Sequence, residues 1–260
     1  MKEIIITKLM EIENKHQIKI LFACEAGSRS YGLASEKSDY DVRFIYIHPT
    51  TYYLSIDPIG IGKKKDVKKV PFNNALDMYG WDLTKALKLF RKSNPSLLEW
   101  LHTDIVYYQA FSTIEKIKEM EKAYFSEKSC IHHYINMSKN NFRRCSEETV
   151  NIKLYLNVLR PLLLATWIKE YKEFPPLKFS YLVDKLVPEG KIKRIVNHLI
   201  KIKLGNNLEL NPLDLQNLHI YIQVELKRLD NYAKSLTDKN QSITTPLDFL
   251  FQQTLKEVWS

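Results

Sequence analysis

Residues 18–48 read IKILFACEAGSRSYGLASEKSDYDVRFIYIH, and this stretch decides the fold. An apolar run from Ile18 to Cys24 has the length and composition of a buried strand. It is followed by a turn at Gly27, because glycine adopts backbone shapes that a side chain would block. A second run, Tyr40 to His48, is rich in Val, Ile and aromatic residues. The stretch therefore predicts a strand, a tight turn and a second strand.

Two aspartates stand at the start of the second predicted strand. Residues i and i+2 of a strand point to the same face, so Asp39 and Asp41 are predicted to project their carboxylates together. Without a cation, neighbouring carboxylates repel and one of them tends to stay protonated. Carboxylate oxygens are the hard ligands that suit Mg²⁺, with Mn²⁺ as the substitute. The spacing predicts a metal site of the kind that clamps the oxygens of phosphoryl transfer.

The turn between the strands is the predicted phosphate-binding element. Successive backbone N–H groups at Gly27 can form an anion nest, and the Ser28 hydroxyl adds a donor. Arg29 and Arg43 lie nearby in sequence and are predicted to offset phosphate charge. The alternative is structural, since Gly-Ser turns and Asp-x-Asp loops are each common. Their fixed spacing between two apolar runs favours a functional site.

A third acid is expected on a neighbouring strand, where it would complete the metal site and deprotonate an acceptor hydroxyl. Asp77 is the first candidate, because it falls inside a predicted third strand from Asn74 to Gly80. Asp82 is the second candidate, since capping of the following helix already explains it. Both alternatives stay open from the sequence.

The character of the chain changes after Phe111. Before it, a first helix is predicted over Lys2–Lys15 and a last strand over Ile105–Tyr108. After it, strand patterns stop and helical patterns take over: Ile114–Phe125, Lys128–Arg144, Glu147–Phe174 and Pro212–Lys234. The sequence predicts an α+β chain with a catalytic domain at residues 1–112 and an all-helical C-terminal domain at residues 113–260.

Composition narrows the class of protein. The net charge of +9 favours nucleic acid, nucleotides or acidic lipid as partners, although solubility alone is the alternative. Lysines between residues 63 and 69 predict a mobile basic loop or hairpin.

Three cysteines without a C-x-x-C pair fit a reducing compartment, and the first 17 residues read as an amphipathic helix and not as a signal peptide. No apolar stretch approaches the roughly 20 residues of a membrane span, so we expect a cytoplasmic protein that does not insert into a membrane.

Several longer stretches resemble a known family. Residues 27–46, GSRSYGLASEKSDYDVRFIY, resemble the DNA polymerase beta-like nucleotidyltransferases, whose signature is Gly-Ser, then Asp-x-Asp, then a later carboxylate. The string is more similar still to one branch, the bacterial predicted nucleotidyltransferases described as an RNA repair pathway DNA polymerase beta family. Three further stretches share the likeness: DMYGWDLTKALKLFRKSNPSLLEWL at 77–101, KLYLNVLRPLLLATWI at 153–168 and PPLKF at 175–179.

The resemblance implies a small mixed β-sheet with helices and a helical C-terminal domain that completes a nucleotide cleft. It implies a triphosphate at Gly27 and Ser28. It also implies three metal ligands, which are Asp39, Asp41 and Asp77. Three residues of the helical part, Lys153, Tyr155 and Arg160, are implied to face the phosphates or the acceptor. For the last three, surface charge and helix packing are equally good explanations. Ser30-Tyr31-Gly32 stands where many minimal nucleotidyltransferases carry Ala-Arg-Gly, which leaves the substrate class open.

The expected function is transfer of a nucleoside monophosphate from an NTP to a hydroxyl, with release of pyrophosphate. The expected acceptor is an RNA end, tRNA included. No helix-hairpin-helix pattern is present, so templated DNA synthesis is not expected. Two alternatives are a non-catalytic nucleotide- or RNA-binding module and an AMP-transferring, protein-modifying component of a toxin–antitoxin pair. The preferred NTP and the oligomeric state are left open by the sequence.

Overall fold

The computed structural model describes residues 1–57, 65–73, 75–145, 151–206, 211–237 and 243–260, with the side chains of 71–73 left out. The chain divides into two compact units. The first comprises Met1–Ser30, Ser38–Tyr124 and Asn240–Ser260, and the second comprises Tyr31–Lys37 and Phe125–Lys239.

One sheet organises the first unit. Its strands are β1 (Lys19–Glu25), β2 (Tyr40–Ile47), β3 (Val67–Asn73), β4 (Leu76–Asp82) and β5 (Val106–Gln109). They lie in the order β3-β4-β2-β1-β5. β2 and β4 are parallel, whereas the other neighbours pair antiparallel. The α+β class and the mixed sheet are thereby confirmed.

Helices account for most of the remaining described residues. They are α1 (Lys2–His16), α2 (Gly27–Ser30), α3 (Thr50–Tyr53), α4 (Leu83–Arg91), α5 (Pro95–His102), α6 (Thr113–Tyr124), α7 (Glu127–Phe142), α8 (Ile152–Tyr171), α9 (Phe179–Leu186), α10 (Lys191–Lys203), α11 (Pro212–Ser235) and α12 (Thr245–Trp259). In the part of the chain that the structure describes, none of them is long and apolar enough to cross a membrane.

The sheet is buried because its central strands are apolar on both faces. β1 is buried from Ile20 to Glu25, as expected for a strand covered on two sides. α1 packs its apolar stripe, Ile5, Leu9 and Ile12, into the same cluster as Val42 and Phe44 of β2. This core fixes the position of the turn between the two strands, where the sequence places the chemistry.

Two predictions concern the first unit. The hairpin alternative predicted for the basic stretch is present after residue 64, where β3 pairs antiparallel with β4; residues 58–64, with Lys63 and Lys64, lie outside the described residues. The predicted boundary at residue 112 falls inside the first unit. α6 packs on β1, and α12 packs on α4 and α6, so both helices belong with the sheet.

α8 is the central helix of the second unit. Thirteen of its residues are buried, and it packs against α7, α9, α10 and α11. Asn151 caps its first turn by accepting a hydrogen bond from the backbone N–H of Leu154. The helical character of this part of the chain agrees with the sequence, which did not predict α9 or α10.

Candidate active site

Asp41 and Asp77 face each other on neighbouring parallel strands. Each is the second residue of its strand, β2 or β4, and the two are Cα partners in the ladder. Arg43 follows Asp41 by two positions and therefore shares its face of the sheet. The guanidinium of Arg43 lies 2.9 Å from Oδ1 of Asp41 and 3.0 Å from Oδ2 of Asp77. The strand register therefore places the two carboxylates side by side at a partly exposed position. The guanidinium of Arg43 pairs with both of them.

Gly27 lies directly against the Asp41 carboxylate. It is the first residue of α2, immediately after β1 and Ala26, and its φ of +62° is one that L side chains rarely adopt. A Cβ atom on Gly27 would lie 3.0 Å from Cγ of Asp41 and closer still to Oδ2. Glycine is required here on two counts, the backbone angle and the absence of a side chain.

A buried acid that the sequence analysis missed supports this arrangement. Oε1 of Glu25 accepts the backbone N–H of Asp41 at 2.9 Å, and Oε2 accepts the hydroxyl of Tyr107. The carbonyl of Asp41 in turn accepts the N–H of Ala26 at 2.8 Å. Burial raises the pKa of Glu25, and the hydrogen bond from Tyr107 partly opposes that rise. Glu25 therefore fixes the backbone from which Asp41 projects.

Tyr107→Phe is expected to destabilise the fold in a pH-dependent way. The loss of a donor to a buried carboxylate should lower the free energy of unfolding by about 1–3 kcal/mol where Glu25 is ionised. Without the donor the folded-state pKa of Glu25 rises further above its value in the unfolded chain. Because the neutral acid does not need that donor, the loss should shrink as pH falls through the raised folded-state pKa. Urea unfolding at pH 8 and at pH 5 measures both values.

The adjacent Tyr108 supplies the control, since it packs against the core cluster, and burial more than the nearby charge of Glu13 raises its pKa. Tyr108→Phe should change stability by the same amount at both pH values. An equal loss at pH 8 and pH 5 for Tyr107→Phe would mean that the ionisation of Glu25 does not change between these two pH values.

Asp39 and Arg29 lie beside the carboxylate pair. Asp39 is exposed and immediately precedes β2, so it is not itself part of the strand. The guanidinium of Arg29 donates to the carbonyls of Ser38 at 2.6 Å and of Asp39 at 3.1 Å. It also stacks 3.7 Å from the ring centroid of Tyr40. Arg29 thus positions the backbone of Asp39, and its predicted contact with phosphate stays a prediction, as does that of Ser28 in α2.

Asp82 is occupied by structural contacts. As the N-cap of α4 it accepts the backbone N–H of Thr84 at 2.8 Å and its hydroxyl at 2.7 Å. Its second oxygen accepts the hydroxyl of Tyr53 at 2.8 Å. Burial raises the pKa of Asp82. These contacts favour Asp77 as the third carboxylate.

The variant Asp82→Asn separates the two candidates. Asn caps helices about as well as Asp, so we expect a stability loss of no more than about 1 kcal/mol and unchanged catalysis per folded molecule. A metal ligand would not tolerate the loss of its charge. Chemical denaturation and a nucleotidyl-transfer assay on the same preparation measure both quantities. If Asp82→Asn reduced nucleotidyl transfer as much as Asp77→Asn does, Asp82 would again be a candidate metal ligand.

The three residues predicted on α8 have different environments in the second unit. Lys153 is exposed. Tyr155 is fully buried, and its hydroxyl lies 2.6 Å from Nε2 of His219. Arg160 stacks 3.5 Å from the ring centroid of Tyr31. The contacts of Tyr155 and Arg160 match the packing explanation and give Tyr31 a structural partner; a role toward a nucleotide stays a prediction for all three.

The donor set suits a divalent cation in part. Asp41 and Asp77 offer hard carboxylate oxygens with side chains 32% and 44% exposed, and they already share the positive charge of Arg43. Within the described ranges, no group of three or more His, Cys, Asp and Glu side chains is arranged to hold one ion. Two carboxylate ligands, those of Asp41 and Asp77, are therefore in place. The side chain of Asp39 would have to turn toward them to supply a third ligand.

Comparisons with known proteins show the family to which the chain belongs. A crystal structure of a nucleotidyltransferase-like protein from Exiguobacterium sibiricum 255-15 aligns with 96% of this chain and 79% of its own, at 12% identity and a TM-score of 0.31. The uncharacterized protein YcgL of Bacillus subtilis (strain 168) is 40% identical over 261 residues, which cover all of this chain and 98% of that protein. The family model described as "RlaP: RNA repair pathway DNA polymerase beta family" matches residues 1–253. The chain therefore belongs to the RNA repair pathway DNA polymerase beta family.

Proposed function

We propose that this protein transfers a nucleoside monophosphate from an NTP to a hydroxyl group, releases pyrophosphate and depends on a divalent metal. The observation that carries the proposal is the pair Asp41 and Asp77, held opposite each other at the turn that Gly27 opens. Family membership supports nucleotidyl transfer as the class of reaction. The pair supports metal dependence, because two adjacent carboxylates beside an arginine form a ready site for further positive charge.

Asp41 and Asp77 would hold Mg²⁺ or Mn²⁺, with Asp39 as a third ligand. When bound, the metal supplies electrostatic stabilisation of the reacting phosphate and of the leaving oxygen. The backbone N–H groups that follow Gly27, with the Ser28 hydroxyl, would bind the outer phosphates.

Asp77 is the residue proposed to take the proton of the acceptor hydroxyl. It is the more exposed of the paired carboxylates, and one of its oxygens contacts Arg43. Arg43 would hold the carboxylates in place before substrate binds and would offset phosphate charge afterwards. The partly buried hydrogen bond between Glu25 and the backbone of Asp41 would keep this geometry rigid.

RNA is the acceptor we favour. Two observations support it: the description of the family, and a net charge of +9 that attracts polyanions. The same charge attracts free nucleotides, so an RNA-binding module without catalysis is the second candidate, and the site aspartates speak against it. Transfer of AMP to a protein side chain is the third.

The test uses the four NTPs labelled at the α-phosphate, Mg²⁺, and RNA with either a free or a blocked 3′ hydroxyl. We expect label on the free-ended RNA and pyrophosphate in equal amount. If the label appeared on protein in preference to RNA, the acceptor would be a protein side chain and not an RNA end. Tight NTP binding with no label on any of a broad range of acceptors would overturn the enzymatic proposal.

A further inference from the structure

Positive charge is concentrated around α10 in the second unit. Residues 178–203 contain seven lysines and arginines against two acids, a net charge of +5 within a chain of net charge +9. Both acids, Asp184 and Glu189, lie within ion-pair distance of a single residue, Lys193. The other cations of α10 are therefore not neutralised by these acids.

Four polar residues of α10 lie one after another along the helix, and we call them the basic stripe. They are Lys191, Arg194, His198 and Lys201. Their spacing of three, four and three residues places them on one face of the helix. At 1.5 Å per residue the stripe is about 15 Å long.

A cavity of about 190 Å³ opens on the basic stripe and is lined by Lys191, Arg194, Ile195, His198 and Asp214. Nε2 of His198 is shielded from solvent there and has no hydrogen-bond partner among the described residues. The one acid in the lining, Asp214, is 3.7 Å from Lys191, and pairs that exposed contribute little. The cavity offers the positive charge of Lys191 and Arg194 to an anion.

We propose that the basic stripe binds the sugar–phosphate backbone of RNA. A nucleic-acid strand carries one phosphate per about 3.4 Å of axis, so a stripe of this length spans about four phosphates. The choice of RNA over other phosphate polymers rests on the proposed function. The stripe itself rests on charge, spacing and the cavity.

A lipid surface fits these observations less well. A helix that lies on a membrane must present an apolar face to the acyl chains. The buried residues of α10 are Ile195, Val196 and Leu199, and all three lie inside the second unit. The exposed positions of this helix are Lys191, Arg194 and Lys201, and three cations in water suit phosphates better than acyl chains.

Fluorescence anisotropy with a short labelled single-stranded RNA, without NTP or metal, tests the proposal. The variant Lys191→Gln/Arg194→Gln/Lys201→Gln should bind the RNA at least about tenfold more weakly at ~0.1 M salt. Its slope of log affinity against log salt should be shallower by about 2, because three phosphate contacts are lost. Circular dichroism checks that the variant is folded, and Lys201→Glu alone, at an exposed position, is the second variant.

The control removes the same charge from α11 through Lys227→Gln/Arg228→Gln/Lys234→Gln, three exposed positions of the same unit. It should leave the slope unchanged. Equal weakening by both triple variants, no weakening by the first, or binding to anionic vesicles in place of RNA would each overturn the proposal. Binding through the stripe in a protein that transfers no nucleotide would support this inference while counting against the proposed function.

Discussion

Asp41→Asn is expected to reduce nucleotidyl transfer about 1,000-fold, equivalent to about 4 kcal/mol of transition-state stabilisation, with the fold preserved. The amide keeps the shape of the carboxylate but loses the charge that would hold the metal. Stability should fall by no more than about 1 kcal/mol, because the ion pair with Arg43 is partly exposed. Asp77→Asn should behave in the same way, since its carboxylate shares the same guanidinium.

Two measurements separate metal binding from mere structural damage. Mg²⁺ should raise the thermal unfolding temperature of the parent protein but not that of Asp41→Asn, because ligands stabilise only the state that binds them. Asp57→Asn, at an exposed position of the same unit, removes equal charge and should keep both the Mg²⁺ response and the activity. An Asp41→Asn protein that still transfers nucleotide at the parent rate would exclude the aspartate pair from the chemistry.

The central part of the site could be predicted from the sequence because its signals are local. The apolar runs before and after Gly27 encode two buried strands, but the second strand begins at Tyr40, so strand periodicity does not extend to Asp39. The N-cap role of Asp82 was also readable, since an acid directly before a helical pattern is a start signal.

The contacts that hold the site residues in position could not be predicted from local sequence patterns. Glu25 and Tyr107 are 82 residues apart, and only the pairing of β1 with β5 brings them together. The contact of Arg43 with Asp77 likewise depends on the parallel register of β2 and β4, which no local pattern specifies. A polar residue at the end of an apolar strand, as Glu25 is, was the one available signal.

Gly27→Ala is the second variant with a large expected effect, and Gly32→Ala is its matched control. Both glycines have positive φ, +62° and +71°, so alanine costs about 1–2 kcal/mol of stability at either position. A Cβ at Gly32 would meet nothing within 4 Å, whereas at Gly27 it would collide with the Asp41 carboxylate. Only the first substitution therefore forces a site side chain to move.

The carboxylate of Asp41 has to turn away from that Cβ, and its contact with Arg43 would be broken or lengthened. A displacement of about 1 Å at a catalytic group can cost on the order of 100-fold in rate. We therefore expect similar unfolding free energies for the two variants, with transfer reduced about 100-fold in Gly27→Ala alone. Parallel urea titrations and initial rates measure this difference. Equal activity in both variants would mean that the close approach of Gly27 to Asp41 serves backbone conformation and not the position of the carboxylate.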